Sequence, residues 1–344
     1  MKNGKLLSVI IPVFNTSNTL NACLQSVLTQ DYQNLEILCV DDGSVDNSLK
    51  ILEKYASNDS RIRILRHEKN RGLLNARRTG TEEAQGDFIQ YVDSDDTIDR
   101  ELFSSVMDAI QTENSDIVQF SGRQIYLNTN KKFTIEPPVG KYMGEQILEN
   151  FFVTRKVTTS LVLKIYRAEI CKKAFEKIPD FHCYVGEDIL TSFFIAFFSS
   201  SYLGIKTKAK YNYAFGSGIS SENEMSLKKY QLYCQMNKFP GIIESFLEKN
   251  HSNPMGDRAL EYMTCRLISD CLNEYIFVNS DEKEEAGKIF WTCWNESPFF
   301  LKSILNVVED QEKLINDIKN SESYKIGNAI VNPLHNLKNV LTSH

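Results

Sequence analysis

From residue 6 to residue 120 the apolar positions switch between two spacings. Leu7 to Val13 is a mostly apolar run rich in Val and Ile, as expected of a buried strand. Leu20, Cys23, Leu24, Val27 and Leu28 then recur at helical intervals, with Thr16 or Ser17 placed to cap that helix. Strand-like runs return at Leu35 to Val40, Ile62 to Leu65, Phe88 to Val92 and Ile117 to Phe120. Helical stretches at Val45 to Tyr55, Gly72 to Ala84 and Glu101 to Ile110 separate them. Strands alternating with helices of this length predict βαβ units: an α/β fold with a mostly parallel central sheet and helices on both faces.

Beyond residue 120 the pattern loosens. Pro137-Pro138 and Gly140 mark a loop, while Ile147 to Val153 and Ile189 to Phe198 read as helices. Lys206, Lys208 and Lys210 alternate with smaller residues, as on a strand with one wet face. From about residue 225 the spacing is helical with few turn signals. The division expected is therefore an α/β domain over 1–224 and a helical region over 225–344.

Composition narrows the classes. The net charge of -6 excludes a broad basic surface for nucleic acid, so contacts to phosphates must come from local donors or a bound cation. The eight cysteines have no CxxC spacing and several sit in apolar runs, which reads as reduced core thiols rather than a zinc site. No stretch of 18 apolar residues occurs, and the first apolar run ends at Pro12, too short for a signal peptide. A cytoplasmic protein is expected, or one peripheral to the inner face of the cell membrane. Near the end Tyr324, Ile326, Ile330, Val331, Leu334, Leu337, Val340 and Leu341 form an apolar set. It reads as a helix packed on its own domain, or as a surface for a membrane, a partner enzyme or a second copy in a homodimer.

Ligands of open α/β sheets bind beyond the carboxyl ends of the strands. Polar groups cluster at such ends here: Asn15 after the first strand, Asp41-Asp42-Gly43-Ser44 after the second, Asp93-Ser94-Asp95-Asp96 after the fourth. Asp and Ser often merely cap the next helix, and Asp46 and Asp99 are read that way. Asp93 and Asp95 are different. Three carboxylates in four residues repel one another unless a cation is present. Two carboxylates two residues apart at a turning strand end can face one site, and hard oxygen ligands favour Mg²⁺ or Mn²⁺.

In order, the chain carries SVIIPVFN, VDDGSVDNS, NRGLLNARRTG, YVDSDD and GEDIL. Over roughly residues 6–220 this series resembles the inverting glycosyltransferases of family 2, which have the GT-A fold. The resemblance implies a UDP-sugar donor, a glycan or glycoprotein acceptor such as a bacterial surface polysaccharide, and Mn²⁺ or Mg²⁺ as cofactor. By the same resemblance Pro12, Phe14 and Asn15 would line the nucleoside pocket, although Phe14 also reads as a core aromatic. Asp41 would accept a hydrogen bond from the uracil imide, and Asp42 would bind the donor or brace the loop. Arg71 or Arg77 would lie near the base or the pyrophosphate; the other reading of each is a solvated helix arginine. Asp93 would touch the ribose or a metal-bound water, Ser94 would offer backbone and hydroxyl contacts, and Asp95 would bind the metal.

The second acid of GEDIL, Asp188, would be the general base, with Glu187 supporting the helix start or touching the acceptor. Acids at a helix start are also common for electrostatic reasons alone. Many family members carry a further His after the base, whereas the corresponding stretch here is YNYAFGSGISS. Ser217, Ser220 or backbone groups would touch the diphosphate there, or a flexible loop would close; His182 is not taken as a ligand, and the third metal contact stays open. Two other classes compete. Asp93-Ser94-Asp95-Asp96-Thr97 also fits the DxDxT pattern of phosphotransferases and phosphatases, and a non-catalytic sugar-binding protein would keep the pocket without needing Asp188. The DxDxT motif normally follows the first strand of its fold, and it leaves DDGS and GED unexplained.

Overall fold

The computed structural model describes residues 4–183, 185–215, 225–250 and 253–308. They fall into two compact units: residues up to 215 together with 238–260, and 225–237 together with those from 261 on.

The first unit is built on strands β1 (Leu7–Val13), β2 (Leu35–Asp41), β3 (Ile62–Arg66) and β4 (Phe88–Tyr91). They lie parallel in the order β3-β2-β1-β4, with Val13 beside Asp41 and Ile10 beside Tyr91. Every residue of β1 and β2 is buried, which explains their continuous apolar runs. Helices α1 (Leu20–Leu28), α2 (Ser48–Ala56) and α3 (Leu73–Glu83) connect them, close to the expected spans. α1 starts three residues later than a Thr16 cap would set it, after a turn in which the Thr16 carbonyl accepts from the N–H of Thr19 and of Leu20.

The chain continues through β5 (Thr97–Ile98), α4 (Leu102–Glu113), β6 (Ile117–Gln119), β7 (Gly122–Tyr126), β8 (Lys132–Ile135), β9 (Gly140–Met143), α5 (Glu145–Leu148), β10 (Lys164–Arg167), α6 (Ala168–Lys177), α7 (Glu187–Phe198), β11 (Ser201–Gly204) and β12 (Tyr211–Phe215). β10 inserts antiparallel between β4 and β6, and β11 and β9 complete a sheet of eight strands. A second sheet has the order β5-β12-β7-β8.

Three expectations change here. The stretch holding Lys206, Lys208 and Lys210 is a loop between β11 and β12 rather than a strand. Its backbone is drawn to side chains, with Lys210 N–H donating to Asp99 and Thr207 N–H to Ser121 Oγ. Asp99 caps no helix with its side chain, which is taken by Lys210 N–H and Asn212 Nδ2. Ile147 to Val153 is not one α-helix but α5 followed by a wide π turn over Glu149–Val153.

Helix α9 (Lys238–Lys249) belongs to the first unit, where Phe246 packs against Phe194, Phe197 and Phe198 at ring separations of 5.0, 4.9 and 5.7 Å. The second unit contains α8 (Leu227–Cys234), α10 (Pro254–Tyr275) from Glu261 on, and α11 (Lys283–Trp294), around Tyr230, Cys234, Leu267, Cys271 and Trp294. All eight cysteines are free thiols and seven are buried. No helix among the described residues is long and apolar enough to cross a membrane. The apolar set from Tyr324 to Leu341, and Ser217 and Ser220, lie outside the described residues.

Candidate active site

Because β2, β1 and β4 are parallel neighbours, their carboxyl ends bring the three polar clusters to one sheet edge. β1 ends in exposed Phe14 and Asn15. Phe14 is 44% exposed, so it is not a core aromatic. Asn15 takes a left-handed φ of 54° and ties two strand ends together: its N–H donates to Ser44 Oγ and its Oδ1 accepts from Val45 N–H. Pro12 is buried in β1.

The paired aspartates after β2 do different work. Asp41 is fully buried. Its Oδ1 accepts from Ser44 N–H at 3.1 Å, while among the described residues Oδ2 accepts no hydrogen bond and lies 3.6 Å from Arg66 Nε. A buried carboxylate oxygen without a donor is costly, and an imide N–H is the kind of group that satisfies it. Asp42 instead has both oxygens engaged by its own chain, Oδ1 by His67 Nδ1 and Arg71 N–H and Oδ2 by Gly72 N–H. It braces the loop that leads into α3. Gly43 allows this approach: its φ is +75°, and a Cβ there would stand 2.8 Å from Asn70 N.

The two arginines also separate. Arg71 reaches outward to Asp180 at 2.8 Å, both side chains being substantially exposed. Arg77 turns inward from α3 and is 4% exposed. Its Nη2 donates to Asp93 Oδ1 at 2.8 Å and its Nη1 to Glu187 Oε1 at 2.6 Å. Burial works against its charge, but Asp93, Glu187 and Asp188 outweigh that and hold the guanidinium above its usual pKa. One buried arginine thus joins the DxD strand end to the GED helix start. Arg77→Met leaves two carboxylates without their cation in a buried place. The fold should lose about 3–5 kcal/mol, read by urea unfolding, and Arg77→Met combined with Glu187→Gln should recover part of the loss.

Around the DxD turn, Thr19 Oγ1 donates to Ser94 O at 3.1 Å and Tyr211 accepts the Asp93 N–H at 3.1 Å. Ser94 is buried and Asp95 half-buried. The crowding of charge is partly relieved by Asp96, which accepts from Tyr211 OH at 2.7 Å and Ala214 N–H at 2.7 Å. Burial, then the charges of Asp93 and Asp95, push the Asp96 acid up to about 8. Asp93 and Asp95, two residues apart at this turn, are hard oxygen donors of the type a Mg²⁺ or Mn²⁺ ion would take. Among the described residues no cluster of three or more His, Cys, Asp or Glu has metal-holding geometry.

Gly186, at φ 79°, turns the chain into α7, which begins with buried Glu187 and half-buried Asp188. Burial pushes the Glu187 carboxyl up, with Arg77 pulling it down and Asp188 adding to the rise. Ile189 N–H donates to Asp188 Oδ1 at 2.8 Å.

Three neighbours escaped the sequence reading. Tyr211 supports the DxD turn, and His67 bridges Asp42 and Thr79. Lys164 of β10 is fully buried, its Nζ donating to the carbonyls of Thr158 and Ser160 at 2.7 and 2.6 Å. Burial pulls its pKa down to about 7, against the charge of Asp188. A charged residue inside the LVLKIYR run was the available signal.

Comparison with known proteins finds glycosyltransferases. The glycosyl transferase family 2 profile matches residues 8–175. The chain is 38% identical over 115 residues to the glycosyltransferase GlyG of Streptococcus pneumoniae serotype 4, covering 33% of this chain and 38% of that protein. It is 45% identical over 92 residues to the Escherichia coli UDP-Glc:alpha-D-GlcNAc-diphosphoundecaprenol beta-1,3-glucosyltransferase WfgD, covering 26% of this chain and 35% of that one. The chain therefore spans well under two thirds of either relative. Its fold is similar to a crystal structure of S. aureus TarS 1-349 in complex with UDP-GlcNAc, at TM-score 0.56 and 20% identity, covering 84% of this chain and 89% of that chain. With the GT-A sheet in place and the profile covering the strand ends that carry the aspartates, residues 8–175 of the chain match glycosyl transferase family 2.

Proposed function

We propose that the chain moves a hexosyl or N-acetylhexosaminyl group from a UDP-sugar to a hydroxyl of a glycan or glycoprotein, with inversion and with Mn²⁺ or Mg²⁺. The observation that carries this reading is Arg77, which draws the DxD turn and the GED acids to one point at the strand ends. The names of similar proteins support the donor class, since one uses UDP-Glc and another was crystallised with UDP-GlcNAc.

In this reading Asp41 receives the uracil imide, and exposed Phe14 offers its ring to the base. Asp93 and Asp95 would hold the divalent cation, which when bound supplies positive charge to the departing diphosphate. Arg77 fixes the orientation of Asp93. Asp188 accepts the proton of the acceptor hydroxyl as that oxygen attacks the anomeric carbon, and Glu187 is held back by Arg77.

Titration calorimetry with UDP tests the donor side. Asp41→Ala should weaken UDP by about tenfold to a hundredfold, the effect of losing a buried charge-assisted hydrogen bond. The variant should stay folded, since Asp41 ends its strand. Equal affinity in variant and wild type would remove Asp41 from the site.

A further inference from the structure

On one face of the β5-β12-β7-β8 sheet a row of aromatic rings leads away from the DxD turn. Side chains two apart on a strand share a face, and so do residues paired across strands. Tyr211, Tyr213 and Phe215 of β12 therefore lie beside Gly122, Gln124 and Tyr126 of β7, and Gln124 in turn beside Phe133 of β8. The near end of the row is Tyr211, bonded to Asp93 N–H and Asp96. Next comes Tyr213. Burial first, then the charges of Asp93, Asp96, Asp95 and Asp188, push its hydroxyl above the usual range, so this ring stands in the field of the reaction centre. At the far end Tyr126 packs on Phe215 at 4.7 Å and edge-on to Phe133 at 5.6 Å. Phe133 is nevertheless 55% exposed.

Tyr211 belongs to the core, but Tyr213, Phe215, Tyr126 and Gln124 are only half-buried and the outermost ring, Phe133, is exposed, which core packing alone explains poorly. We propose that this face is an acceptor platform. It would hold a saccharide, with the apolar face of a pyranose against Phe133 and Tyr126 and its hydroxyls within reach of Gln124. The inference rests on the glycosyl-transfer reading and adds to it the surface that holds the acceptor. Its direction follows from continuity: the row starts at the carboxylates and runs outward along β12. From Tyr211 to Phe215 is about 13 Å of strand, so an occupant touching both ends is longer than one sugar ring. A lipid tail fits less well, because the rings are interspersed with the Tyr126 and Tyr213 hydroxyls and the Gln124 amide.

The test is saturation-transfer NMR on the full chain with methyl cellobioside, methyl lactoside and methyl N,N′-diacetylchitobioside as probes. At least one should bind, with saturation strongest on ring protons. Phe133→Ala should weaken it by about threefold to tenfold, and Phe133→Trp should retain it. Because Phe133 is exposed, neither change threatens folding, and thermal melts confirm this. Binding of none of the three probes to the wild type overturns the platform, as does equal binding by wild type and Phe133→Ala. Release of UDP from donor by the wild type is measured separately. Glycoside binding without any UDP release supports the platform and strikes the transfer reading instead.

Discussion

Asp188→Asn is expected to lower turnover by about a hundredfold to ten-thousandfold while leaving affinity for UDP nearly unchanged. An acceptor hydroxyl is a weak nucleophile, and the reaction needs its proton taken as the new bond forms. The amide keeps the shape of the side chain and removes that capacity. Two features favour Asp188 over Glu187 as the proposed base. Asp188 is half-buried and so can meet an acceptor, whereas Glu187 is buried and bonded to Arg77 at 2.6 Å. Glu187→Gln should therefore show mainly a loss of stability. Steady-state kinetics together with UDP calorimetry separates the two variants. A drop in UDP affinity for Asp188→Asn as large as its drop in turnover would move Asp188 out of the base role.

Chelation with EDTA, and Asp95→Ala in the presence of Mn²⁺, should each reduce turnover by about a thousandfold or more. This corresponds to several kcal/mol of charge stabilisation on the leaving group. The readout that isolates the ion is binding. Mn²⁺ should strengthen UDP affinity in the wild type and leave Asp95→Ala unmoved, while UDP affinity without metal should be the same in both. Full activity of the wild type in excess EDTA would refute the metal role.

Much of the first half of the chain was legible from sequence because its physics is local. β1, β2 and β4 announce themselves by short apolar runs, since both faces are covered, and strand ends are marked by the polar clusters that follow. β10 and the second sheet were not legible. Lys164 interrupts β10 with a charge that only its carbonyl partners make tolerable, and β8 has three exposed residues in four, so neither shows the expected alternation. Within the site, the DxD and GED motifs could be named from order along the chain. Their union through Arg77 could not, because Arg77 and Glu187 are 110 residues apart and α3 gives no sign of which arginine turns inward. The division between Asp41 and Asp42 was legible only as one of two readings, and the loop at His67 to Gly72, folded over the second carboxylate, favours bracing by Asp42.

The central claim is that these strand ends break the bond between a sugar and UDP. It is tested most directly by incubating the protein with Mn²⁺ and a panel of UDP-hexoses and UDP-N-acetylhexosamines, without acceptor, and following UDP and sugar by NMR. The account predicts slow release of UDP from at least one α-linked donor, with the sugar first appearing as the β anomer. No UDP from any donor, with Asp93 instead trapped as a phosphoenzyme when phosphate esters are supplied, would contradict it.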